Sequence, residues 1–180
     1  GDFEAGFNTS ETRLLGAGVK NSELASLVGG RSKISPEKEW RRIEKEKVKM
    51  VVSDEPEFPR LLKQIPSAPS FFYLKGELKK EDDFAFGIVG TRLATVYGRE
   101  TANAIAFKLA QIGLTISSGM ASGIDTEAHK GALAAMGRTI AVVASGLDEE
   151  SLFPQENLKL SRKIIENGAL ISEHPLGMKA

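Results

Sequence analysis

Short apolar runs, each broken by a glycine-bearing turn and most of them leading into a helical period, dominate the second half of the chain. Phe84–Val89, Leu114–Ser117, Thr139–Ala144 and Ala169–Ser172 have the Val/Ile-rich, nearly continuous apolar character of buried strands. Between them, Val96–Ile112, Thr126–Met136 and Asn157–Asn167 carry apolar positions at helical spacing. In the first of these, Ala102, Ile105, Ala106, Leu109 and Ala110 form the expected inner face. Gly113, Gly137 and Gly168 follow the helices as C-terminal punctuation. Strand and helix alternate, so the pattern predicts an α/β domain with a largely parallel sheet. Right-handed crossovers would gather the strand-to-helix loops at the carboxyl edge of that sheet.

The first half is less regular. Gly1–Ser10 is aperiodic and reads as a loose end, and Glu11–Arg31 as short helices punctuated by Gly16, Gly18, Gly29 and Gly30. Ser35-Pro36-Glu37 is a helix start: a cap, a preset first position and an acid at the positive end of the dipole. Trp40 and Ile43 fall on one face of that helix, while the mixed charges from Glu37 to Lys49 form a solvated face. Lys49–Ser53 and Ser70–Lys75 read as strands, separated by turn-rich 54–59 and a helical turn at Arg60–Ile65. The aromatic Phe71-Phe72-Tyr73 is read as core rather than as a base-stacking platform. The expected division is a small helical region at 1–47 and a sheet domain at 48–180, ending where a doubly wound sheet would normally continue. The chain therefore reads as a fragment lacking a C-terminal part.

Charge narrows the choice of partners. Twenty-four basic residues balance 24 acidic ones, so a nucleic-acid site would need locally concentrated charge. With no cysteine and only His129 and His174 as histidines, thiolate chemistry and an ordinary zinc site are excluded. No metal or other cofactor is expected. No apolar run approaches the roughly 20 residues of a membrane span, and the expected location is the cytoplasm.

The glycine turns carry the candidate chemistry. Gly90 would allow a ligand close to the backbone, Thr91 offers a hydroxyl, and Arg92 a planar fork suited to phosphate. Ser118-Gly119-Met120-Ala121-Ser122-Gly123 could aim several amides at one anion, with left-handed geometry expected at Gly119 and Gly123. Asp125 is expected to cap the next helix, and His129, four residues on, to share its face in a structural hydrogen bond rather than acid–base work. Ser145-Gly146-Leu147-Asp148 would supply a third wall, and Asn157 would cap the last helix. Arg92, Arg99 and Arg138 could form a local basic pocket.

Taken together, Val89-Gly90-Thr91-Arg92, Tyr97-Gly98, Ser118–Asp125 with His129, Gly146-Leu147-Asp148, Phe153-Pro154 with Asn157, and Ser172-Glu173 with Pro175 and Gly177 resemble the DNA-processing protein A family (DprA, or Smf) over about 51–177. The resemblance implies an extended Rossmann-like sheet with helices on both faces and a small helical unit in front. It implies a single-stranded DNA binder of natural transformation and recombination that protects incoming strands, helps load RecA and forms a homodimer, without catalysis. Gly90, Thr91 and Arg92 match the family's phosphate-contacting loop, and Gly119–Asp125 match the second wall. The implied DNA-contacting set is Gly90, Thr91, Arg92, Ser118, Gly119, Met120, Ala121, Ser122, Gly123 and Asp125. Many relatives carry a basic residue at Ser122 and some a lysine at Gln155, both neutral here.

Two enzyme readings compete. A nucleotide- or phosphoribosyl-binding enzyme of the lysine-decarboxylase-like phosphoribohydrolase type places glycine turns similarly, but its Pro-Gly-Gly-x-Gly-Thr signature is absent. A dinucleotide dehydrogenase would need Gly-x-Gly-x-x-Gly and a ribose-binding acid, and neither is evident.

Overall fold

The computed structural model describes residues 3–180. The chain forms two compact units that divide between Arg42 and Ile43.

In the first unit, α1 (Phe3–Phe7), α2 (Glu11–Gly16) and α3 (Asn21–Arg31) precede α4 (Pro36–Lys45), which crosses the division. The stretch expected as a loose end contains α1, and positions 1 and 2 lie outside the described residues. The Arg31 guanidinium ties this stretch down by donating to the carbonyls of Phe7 and, at 2.9 Å, Thr9. Gly29 and Gly30 lie inside α3 rather than in a turn. At the start of α4, Ser35 Oγ accepts the Lys38 amide at 3.4 Å and donates to the Glu37 carboxylate at 2.9 Å. This is the expected capping arrangement.

The second unit is built on a six-stranded sheet of β1 (Lys49–Val52), β2 (Phe71–Gly76), β3 (Ala85–Gly87), β4 (Thr115–Ser118), β5 (Thr139–Val142) and β6 (Gly168–Ser172), ordered β1-β2-β6-β5-β4-β3. Strands β3 to β6 are mutually parallel, while β1 and β2 add antiparallel pairs beyond β6. Helices α5 (Val96–Gln111), α6 (Ile124–Ala134) and α7 (Leu158–Glu166) are the crossovers. Side chains alternate across the sheet. Ala141 and Leu170 join the core cluster that contains Leu160 and Ile164 of α7. Their strand neighbours Ile140 and Ala169 join Phe72, Leu74 and Phe58 instead, with Leu62 of a short 3₁₀ turn packed alongside. The aromatic trio is core, as expected: Phe72 and Tyr73 are buried and Phe71 packs against the cluster that contains Tyr73.

Four expectations fail for positional reasons. The first parallel strand is not buried: β3 is the sheet edge, only three residues pair, and all three are exposed. In β5, Val142 is 50% exposed, so burial on both faces stops at Ala141. On α5 the inward stripe holds Ala102, Ala106 and Ala110, whose small side chains let α6 come close, with Leu109 packed alongside as expected. Ile105 stands beside that stripe and turns outward. Gly113 is left-handed as expected (φ 89°), but at the end of α6 the left-handed residue is Met136 (φ 54°), not Gly137.

One ion pair fastens the edge strand to the sheet. Arg138 grips Asp82 with two bonds, Nε to Oδ1 at 2.7 Å and Nη2 to Oδ2 at 2.8 Å. Thr115 Oγ1 and the Lys79 amide complete the carboxylate shell at 2.9 and 2.7 Å. Burial opposes ionisation of Asp82, but the bonds from Arg138, Lys79 and Thr115 outweigh it and hold the carboxyl below its ordinary range. A depressed carboxyl stabilises the fold above its unfolded-state pKa, and that contribution is lost as pH falls through the folded value. Asp82→Asn should cost about 2 kcal/mol at pH 7 in urea unfolding. The gap to wild type should close as pH drops below about 4.

Candidate nucleic-acid interface

The first two glycine turns are locked together by a carboxylate. Helix α6 begins two residues earlier than its hydrophobic period suggests, with Gly123 before its first residue. Asp125 is therefore not the cap but the second helical residue, and it is buried. Its Oδ1 accepts the Gly90 amide at 3.2 Å and its Oδ2 the Gly119 amide at 3.0 Å. The Ile124 amide adds a 3.3 Å bond to the Thr91 carbonyl. Glycine is required at two contact points. A Cβ on Gly123 (φ 86°) would stand 2.3 Å from the Thr91 carbonyl oxygen, and one on Gly90 would meet Ile124 Cγ1 at 2.7 Å. Close packing of turn on turn, rather than approach of a ligand, sets Gly90.

The predicted site residues separate into supports and presented groups. Ser118 is buried and its hydroxyl donates to the Ile88 carbonyl at 2.6 Å. Met120, not Gly119, takes the left-handed conformation (φ 57°), and its side chain lies fully in the core. The Ala121 carbonyl receives the Thr126 hydroxyl at 2.7 Å. Thr91 and Arg92 are exposed, and Thr91 Oγ1 accepts the Leu93 amide at 3.2 Å. Ser122 donates to Glu156 Oε1 at 2.7 Å.

The third turn does not join this arrangement. Ser145–Asp148 is buried, with the Gly146 amide on the Met178 carbonyl at 2.7 Å and Asp148 Oδ1 accepting the Gly177 amide at 2.7 Å. It holds the segment after β6 instead of forming a wall. Asn157 makes no side-chain cap. Its Nδ2 reaches back to the Met120 carbonyl (2.8 Å) and Thr126 Oγ1 (2.7 Å), tying α7 to the second turn. Gln155 likewise donates to the carbonyls of Glu149 and Leu152 at 2.9 and 3.0 Å. Arg138 is held by Asp82 and is no part of a pocket with Arg92 and Arg99.

Arg92, Ser122 and Gly123 open onto a groove of about 1000 Å³ between α6 and α7. Its rim carries Arg99, Lys130, Lys159 and Lys163 beside Glu127, Glu156 and Glu166. The three lysines were missed from sequence. Lys159 and Lys163, one turn apart on α7, were the legible signal.

His129 is wholly buried and does not meet Asp125; its Nδ1 lies 2.7 Å from Thr139 Oγ1. The Thr139 hydroxyl donates to the Ile116 carbonyl at 2.7 Å, so it accepts from His129 Nδ1–H. Nε2 has no partner among the described residues. Burial pushes the imidazole down to about 4. It is neutral at physiological pH.

The family model described as DNA recombination-mediator protein A matches residues 49–180. The chain belongs to that family. Among its members, Protein Smf of Synechocystis sp. is 35% identical over 166 residues, covering 90% of this chain and 41% of the relative. DNA processing protein DprA of Bacillus subtilis is 38% identical over 120 residues, 66% of this chain and 40% of the relative. The chain thus spans about two fifths of the length of these curated relatives. The X-ray structure of DNA processing protein A from Streptococcus pneumoniae superposes with a TM-score of 0.69 at 27% identity, over 90% of this chain and 55% of that one. A Helicobacter pylori DNA processing protein A, described for its single-stranded DNA binding mode, gives 0.63 at 28% identity, over 73% and 58%. The six-stranded, mostly parallel sheet with its crossover helices is this family's fold.

Two outcomes follow for this domain. Asp125→Asn replaces one amide acceptor with a donor, so it should cost about 2 kcal/mol in urea unfolding and speed hydrogen exchange at the Gly90 and Gly119 amides. His129 is neutral when folded but protonates more readily when unfolded. Stability should therefore fall by about 1.4 kcal/mol per pH unit from roughly pH 6.5 towards 4. His129→Gln should flatten that slope in unfolding curves at pH 7 and 5.

Proposed function

We propose that this chain binds single-stranded DNA through its backbone, with Arg92 as the main side-chain anchor. The observation that carries this reading is an exposed guanidinium on a loop already locked by Asp125, at the mouth of a basic-rimmed groove. The turn that carries this fork is held in place before a phosphate arrives, which lowers the ordering cost of binding. Gly90, Thr91, Ser122 and Gly123 form the contact surface around it. Ser118, Gly119, Met120, Ala121 and Asp125 hold that surface in shape from below.

Family membership and the Helicobacter pylori relative's single-stranded DNA binding mode support the same substrate. In the protein to which this domain belongs, we assign strand protection and RecA loading in natural transformation, action in the cytoplasm and assembly as a homodimer. Among the described residues, no helix is long and apolar enough to cross a membrane. We assign no catalysis. The engagement of His129 by Thr139 supports this, because it leaves Asp125 without the acid–base partner that a hydrolase would use.

Titration of labelled oligo-dT at two salt concentrations tests the assignment. Arg92→Ala should weaken binding by roughly tenfold, about 1.4 kcal/mol. Its log–log salt slope should be shallower by about 0.7 for the one phosphate released. Equal binding by variant and wild type would sink the pocket assignment. Free base released from AMP-like substrates would overturn the non-enzymatic reading.

A further inference from the structure

The groove between α6 and α7 extends well past the loops. It runs from Ser122 and Glu156, before the helices, to Gly137 and Asn167 beyond them. At about 1000 Å³ it stands at the upper limit for small-molecule pockets, and its length follows two whole helices. That shape suits a chain molecule better than a compact one.

The rim favours an anionic chain. Its five basic groups, Arg92, Arg99, Lys130, Lys159 and Lys163, outnumber three acids, of which Glu127 is paired with Lys130 at 2.8 Å, Glu156 accepts from Ser122 and Glu166 closes α7. Lys159 and Lys163 are exposed and enter no ion pair among the described residues. They sit one turn apart on α7, roughly 6 Å along its axis. The floor is apolar, with Leu133, Ala134 and Leu160, and Met136 stands 90% exposed at the carboxyl end of α6. A positively charged groove that tracks the backbone is how proteins hold a single strand without reading its sequence.

Resting on the single-stranded DNA reading, we propose that the strand continues from Arg92 along this groove. Its phosphates lie on Lys159 and Lys163 and its bases against Leu133, Met136 and Leu160. Arg92 anchors one phosphate, and the groove sets how many further nucleotides are held.

Lys159→Gln/Lys163→Gln in the full chain tests the path, with Arg162→Gln as control. Arg162 lies on the same helix but pairs with Glu149 at 2.8 Å, outside the groove. Oligo-dT of about 6 and about 20 nucleotides brackets ordinary single-strand sites. The double variant should hold the short oligonucleotide within about twofold of wild type and lose about tenfold on the long one. Its salt slope on the long one should fall by about 1.4, which is 0.7 for each phosphate. The control should match wild type on both. Unchanged long-oligonucleotide affinity in the double variant would overturn the path and give the groove to another occupant, such as a protein segment. If Arg92→Ala still weakened binding in that case, the DNA-binding function would stand. Wild-type failure to bind either length would remove both readings.

Discussion

A single buried carboxylate organises the carboxyl edge of this sheet. Asp125 accepts one backbone amide from each of two strand-to-helix turns, Gly90 and Gly119. The turns look like an anion site because they do bind an anion, and that anion belongs to the protein. Those two amides are therefore taken, and Arg92, Thr91 and Ser122 are the polar side chains of the turns that do not face inward. The internal carboxylate ties the two turns that carry them to one another.

The same edge shows how a neutral chain divides its charge. Arg138 is consumed by Asp82 in fastening the edge strand. Arg162 is engaged by Glu149 on the surface. Arg92, Arg99, Lys159 and Lys163 remain along one groove. Local concentration arises because five basic residues line this groove against three acids, not because the chain carries a basic excess. Neutral residues at Ser122 and Gln155 are both engaged in hydrogen bonds: Ser122 reaches across to Glu156, and Gln155 donates to the carbonyls of Glu149 and Leu152 in its own loop.

Much of the sheet was legible in the sequence. The strands at β1, β2, β4, β5 and β6 and the helices α4 to α7 appear within a few residues of their expected bounds. Local signals carry that information: apolar period, Ser35 before Pro36, and the left-handed Gly113. The motifs around Gly90–Arg92 and Ser118–Asp125 also identified the family, because motif order is a property of sequence.

Which strand would be the exposed edge, and so whether Phe86 or Ile116 would be buried, depended on strand order and not on composition. The roles of Asp125, Asn157 and Arg138 were likewise invisible, since each bonds to partners in other elements. Sequence determined that this chain folds into a parallel α/β sheet with glycine turns at one edge, because helix, strand and turn preferences act over a few residues. Tertiary structure decided which polar groups those turns still present to a ligand. A buried carboxylate takes its hydrogen bonds from whichever amides the fold brings within 3 Å or so, however distant they are in the chain.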